Sequence, residues 1–115
     1  VKVIKGEDTI SVCFYIEHTK PFELGEKMQE INEEAYMNGY NWEAFWNYYL
    51  EKYKSDLYQD LETDPEAGMY CAYYELTNQG EEKAIQFANL ISTMVEEEEE
   101  IYRILREESD DIEWD

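Results

Sequence analysis

Carboxylates are the first residues of this chain that could do chemistry, because 29 Asp and Glu stand against 9 Lys and Arg. At that density, pairs with the spacing of a general acid and base arise by chance, so they say nothing about glycosidase-like catalysis. The C-terminal "DDIEWD" resembles a carboxylate metal loop only loosely, since it lacks the glycine and the ligand alternation of a calcium hand. A solvated tail is expected there. The single histidine, His18, has no nearby cysteine and no Glu-x-x-His spacing, and is expected as a partly exposed residue at the end of a strand. Neither Ser nor Cys falls in a nucleophile-elbow pattern, and there is no glycine-rich phosphate loop. No catalytic residue, metal or cofactor is therefore expected, and a small carboxylate-based enzyme or metal-binding module stands as the rival class.

Cys13 and Cys71 sit inside the apolar runs "ISVCFYI" and "MYCAYY", where a small buried thiol is the expected state. A reduced pair is the reading, with one disulfide between strands as the alternative. The formal net charge of −20 repels nucleic acid and anionic lipid and attracts basic partners, at rates that fall with salt. Direct nucleic-acid and membrane-surface binding are thus excluded as expectations, whereas occupying a basic cleft is favoured. No apolar run approaches the roughly 20 residues of a membrane-spanning helix, and no basic-then-apolar signal segment opens the sequence. The chain begins at Val1 without Met, which leaves open whether residues precede it.

The elements that must position these residues follow from periodicity. At 115 residues, with 11 Tyr, 3 Trp and 4 Phe, the chain fits a single domain with an aromatic core. "VKVIKGEDTISVCFYIEH" reads as two strands joined by a turn. Leu24, Met28, Ile31 and Ala35 then keep helical spacing, with Asn38-Gly39 as the stop. Asn41 is expected to cap a second helix, "WEAFWNYYLEKYK", whose Trp42, Phe45, Trp46, Tyr49, Leu50 and Tyr53 form one wide apolar stripe with Glu43 and Glu51 outside. That stripe could be a stacking platform for a ligand, but its spacing is that of a buried face.

"LYQDLETDPEAG" reads as a short strand or extended segment ending in a turn, in which Pro65 restricts Asp64 and Gly68 permits positive φ. "MYCAYYEL" follows as a strand. A long helix begins after "TNQG", with Ala84, Phe87, Ala88, Ile91, Met94 and Val95 in register. The order β-β-α-α-β-β-α predicts an α+β domain with helices packed on one face of a small antiparallel sheet.

The run Glu96, Glu97, Glu98, Glu99 and Glu100 turns through a little more than a full circle at about 3.6 residues per turn, so a carboxylate points from every face. No core can accept that turn. Either the helix runs off the body here or a second helix begins, in which Glu99 can pair with Arg103 and Ile101, Tyr102, Ile104 and Leu105 resume an apolar face. From Glu96 to Asp115 there are eleven acids against Arg103 and Arg106. With Tyr102 and Trp114 among them, the segment combines an acidic surface with apolar anchors that either meet a partner or fold back on the domain.

"NGYNWEAFWNYYLEKY" followed by "LYQDLETDPEAGMYCAYY" resembles the immunity protein 51 family of bacterial polymorphic toxin and contact-dependent inhibition systems. The resemblance is strongest from Asn38 to Tyr74 and fades into "EEKAIQFANLI"; where family members often carry a proline after the second helix, this chain has "KSDLY". It implies a small cytoplasmic protein that binds and neutralises a cognate toxin domain without catalysis of its own. The motif residues Gly39, Tyr40, Trp42, Glu43, Asp64, Pro65, Ala67 and Gly68 are read as fold determinants, because contacts to a partner must differ with each toxin. The toxin-binding candidates are Glu66, Glu96 to Glu100, Tyr102, Asp110, Asp111 and Trp114. Their acidity points to a basic toxin, with a nuclease cleft as the expected target. A nucleic-acid-mimic inhibitor of some other basic protein is the alternative within that chemistry.

Overall fold

The structure is a computed structural model that describes residues 1–16 and 19–114, so the reading of His18 lies outside the described residues. Strands β1 (Lys2–Lys5), β2 (Thr9–Tyr15), β3 (Glu62–Thr63) and β4 (Met69–Glu75) form one antiparallel sheet in the order β1-β2-β4-β3. Helices α1 (Thr19–Ile31), α2 (Gly39–Tyr53), α3 (Ser55–Tyr58), α4 (Asn78–Glu97) and α5 (Glu99–Glu107) complete the α+β fold, followed by a 3-10 turn at Ser109–Asp111.

The sheet divides its residues by the two-residue period of a strand. Ile10, Val12 and Phe14 of β2 and Tyr70, Ala72 and Tyr74 of β4 point into the core, against α2 and α4. Cys13, Tyr15, Met69, Cys71 and Tyr73 alternate with them on the other face. Trp42, Phe45, Trp46, Tyr49, Phe87 and Ile91 are all buried, as the helical spacing predicts. Their rings pack mostly edge to face, Trp42 on Phe14 at 4.9 Å and Trp46 on Phe87 at 6.0 Å. That is the geometry aromatic quadrupoles favour, so the stripe is core and not a platform.

Several local readings are corrected. Helix α1 ends at Ile31, and Asn38 belongs to the next helix: its side chain accepts from the Asn41 backbone N–H at 2.9 Å and so caps α2. Gly39 is therefore the first residue of α2 and not a stop. Tyr53 leaves the apolar stripe and is 39% exposed, its hydroxyl bonded to Glu108. A short helix, α3, occupies the start of the segment expected as extended, and among the described residues no glycine has positive φ, whereas Asp60 and Glu98 do.

Glu98 settles the fate of the acidic run. With φ of 60° it breaks the helix, α4 ends and α5 begins. Such a backbone costs a non-glycine residue roughly 1 to 3 kcal/mol. Reorientation offsets it by placing Ile101, Ile104 and Leu105 in the core, each at most 2% exposed, where α5 packs on α1 and α4. These three residues fold back on the protein and are not anchors for a partner.

Candidate functional site

Helix α2 carries a second stripe besides its apolar one. Tyr40, Glu43, Ala44, Asn47, Tyr48 and Glu51 follow at i, i+3, i+4, i+7, i+8 and i+11, the spacing of one helix face. This face forms one wall of a groove of about 580 Å³. Tyr58, at the end of α3, and Asp111, Glu113 and Trp114 of the C-terminal segment complete it.

Each wall has a local cause. The start of α2 is pressed against the turn before β4: the Gly39 N–H donates to the Ala67 carbonyl at 2.9 Å. A β-carbon on Gly39 would sit 1.6 Å from the Glu66 carbonyl oxygen and 2.5 Å from that of Met69. Only glycine allows this approach. The two sequence motifs thus meet in space, backbone to backbone, and their contact fixes where Tyr40 and Glu43 stand. Tyr74 donates its hydroxyl to the Leu57 carbonyl, which ties α3 to the sheet and sets Tyr58 at the groove.

The C-terminal wall hangs on Glu108, a buried carboxylate at 8% exposure. It accepts from Lys52 Nζ at 2.6 Å, from the hydroxyls of Tyr48 and Tyr53 at 2.5 and 2.6 Å, and from Arg103 at 2.8 Å. Burial alone would raise its pKa, but the four donors prevail and hold it at about 2. Ile112, 5% exposed, is the apolar anchor just beyond, and Trp114 packs half-buried against the core. The tail is therefore docked on α2 and not splayed into solvent.

A carboxyl depressed from about 4.5 to about 2 on folding contributes stability that is present above the upper value, declines steadily as pH falls between the two, and is gone below the lower one. Thermal melts of the parent between roughly pH 5 and pH 3 are expected to lose several degrees more than those of Glu108→Gln, which lacks this titration. Equal losses in the two proteins would contradict the role given to Glu108.

The carboxylates around the groove carry no ion pair, a property they share with many other surface acids of this chain. Among the described residues, no Lys or Arg pairs with Glu43, Glu51, Asp111 or Glu113. Lys52 and Arg103, the cations bound on this side of α2, are engaged by Glu108. Glu43 accepts from the Thr63 hydroxyl, which fixes its carboxylate. Carboxylates at the rim and tyrosine and tryptophan rings in the walls suit a guanidinium or ammonium, through charge-assisted hydrogen bonds and cation–π contact. A larger groove, about 850 Å³, lies by Asp8, Asp60, Glu62 and Glu75, but Lys83 stands inside it and pairs with Asp60 at 3.7 Å.

The candidates read from the sequence fall into different places. Asp111 and Trp114 line the groove, and Asp110 is exposed beside them. Glu98 is bound by Lys20 at 3.2 Å and accepts from the Tyr102 hydroxyl at 3.1 Å, which holds its carboxyl below the usual range and ties α5 to α1. Glu100 pairs with Arg103 at 2.6 Å, taking the place expected for Glu99. Glu96, Glu97 and Glu99 are exposed. Glu66 is exposed in the turn before β4, and no described contact joins it to the C-terminal acids. Of the motif residues, Trp42 is core, Asp64, Pro65 and Gly68 build the turn, and Tyr40 is 42% exposed at the groove.

Among the described residues no group of three or more His, Cys, Asp and Glu could hold a metal ion, and no helix is long and apolar enough to cross a membrane. The family model described as immunity protein 51 matches residues 1–110. Neither curated proteins nor solved structures gave a match.

Proposed function

The chain belongs to the immunity protein 51 family, and from that premise we propose that it neutralises a cognate toxin domain by binding it through the groove between α2 and the C-terminal segment. The observation that carries this reading is the set of carboxylates, Glu43, Glu51, Asp111 and Glu113, none of them ion-paired with a described Lys or Arg, gathered around aromatic walls of which Tyr48 carries Lys52 on its hydroxyl and ring. A basic residue of the toxin enters the groove, and its charge is met by carboxylates that have no competing ion-pair partner. Charged pairs of this kind give register and specificity as well as affinity.

The exposed acids Glu96, Glu97, Glu99 and Asp110 lie outside the groove and act at longer range, by raising the rate at which a basic partner arrives. A nuclease fits this description best, because a cleft made for phosphates accepts carboxylates in their place. The protein then acts in the cytoplasm of the cell that makes it, by occupying the toxin and without a reaction of its own. Glu66, exposed in the turn packed against the start of α2, does not line the groove and is a further candidate contact at its edge.

Hydroxyl-radical labelling of the free and toxin-bound protein tests the surface. Tyr40 and Tyr58, 42% and 37% exposed, and the half-buried Trp114 are expected to lose most of their labelling in the complex. Phe22 and Tyr36, 55% and 63% exposed near the start of α1 and the loop after it, are expected to keep theirs. Protection of Phe22 and Tyr36 with Tyr40, Tyr58 and Trp114 unchanged would move the toxin to another face.

A further inference from the structure

We infer that Cys13 and Cys71 are a reversible disulfide site, closed by exchange with a small-molecule disulfide and joining the two central strands of the sheet. The residues are direct partners in the register of β2 and β4. Their sulfurs are 3.2 Å apart and both thiols are free.

The hydrogen-bond ladder shows what kind of pair this is. Ile16 donates to the Gly68 carbonyl at 3.2 Å, and Ile16 and Gly68 lie three positions along the same register from Cys13 and Cys71. Hydrogen-bonded and non-hydrogen-bonded pairs alternate in an antiparallel ladder, so the cysteines form a non-hydrogen-bonded pair. The Cys71 carbonyl confirms it by turning the other way, to accept from Asp64 at 2.8 Å. Such pairs have α-carbons about 4.5 Å apart and the closest side chains of any in a sheet, inside the range a disulfide spans. No strand has to move far for the bond to form.

Access is one-sided, which orders the steps. The pair lies on the face of the sheet opposite the core, where Cys71 is half-buried and Cys13 is 4% exposed. Cys71, as thiolate, attacks one sulfur of oxidised glutathione and releases one glutathione thiolate. Cys13, as thiolate, then displaces the second glutathione from Cys71 and forms the Cys13–Cys71 bond. Both thiol protons pass to the departing glutathione sulfurs, so the protein loses two electrons and the glutathione disulfide gains them. Burial, and after it the hydrogen bond to the neighbouring Cys13, push the Cys71 thiol up to about 12, which makes the first attack slow at neutral pH.

The bond would close a loop between residues 58 apart in sequence and so remove much of the unfolded chain's freedom. Incubating the purified chain with oxidised glutathione and reading mass, alkylation and melting temperature tests the site. The expected product is a monomer lighter by two hydrogens, with no alkylatable thiol until reduced, melting about 10 °C or more above the reduced protein. Cys13→Ser should stop at a glutathione adduct on Cys71 and show no such rise. A lasting adduct in the parent chain, a dimer linked through Cys71, or a closed form that melts no higher would overturn the inference. The test does not involve the toxin, so its outcome is independent of the binding face.

Discussion

Replacing Trp46 by alanine is expected to lower the melting temperature by roughly 10 to 20 °C, the shift that corresponds to about 3 to 5 kcal/mol in a domain of this size. Trp46 is fully buried, and its ring meets Trp42 at 5.8 Å, Phe45 at 5.1 Å, Tyr49 at 6.5 Å and Phe87 at 6.0 Å. Removing it leaves a cavity between α2 and α4 whose other aromatic walls are themselves locked by neighbours, so collapse is limited and the cavity term stays large. The indole N–H makes no hydrogen bond within the structure, so the loss is one of packing alone. Circular dichroism melts measure it directly. A variant that melts within a degree or two of the parent would mean that α2 does not form the wall of the core.

That wall was legible in the sequence because burial leaves a periodic trace. Trp42, Phe45, Trp46 and Tyr49 are large and apolar at helical spacing, and nothing in a lone chain needs them so except a core. The two central strands were legible for the same reason. Gly39 was visible as a glycine but misread as a stop, because its reason is a carbonyl of Glu66 that lies far along the chain. Long-range contacts of backbone with backbone leave no pattern in side chains. The break at Glu98 could be posed only as an alternative, since five glutamates favour no face and the strain is decided by where Ile101 and Ile104 find cover.

The groove shows a similar limit. Its α2 wall was readable: Tyr40, Glu43, Asn47, Tyr48 and Glu51 keep helical spacing as clearly as the core stripe does. The mixed chemistry of that stripe hid it, because neither hydropathy nor charge alone picks out an amphipathic face of tyrosines and acids. Glu108 was lost among its acidic neighbours, although it alone of the described C-terminal acids is buried. Only the fold distinguishes a carboxylate with four donors from one with none.

If carboxylates of the groove without an ion pair hold the toxin, neutralising Glu51, Asp111 and Glu113 together removes the charge on which binding depends. Glu51→Gln, Asp111→Asn and Glu113→Gln remove charge with little change of volume, and none of the three has a described ion-pair partner to strand. Stability should therefore stay within a few degrees of the parent, whereas binding loses contacts that form only in the complex. The measurement is the dissociation constant for the cognate toxin domain, taken at low and at high salt. The triple variant is expected to bind roughly a hundredfold more weakly than the parent at low salt, with a shallower salt dependence and lost protection against the toxin. A folded triple variant that binds and protects as the parent does, with the same salt dependence, would contradict it.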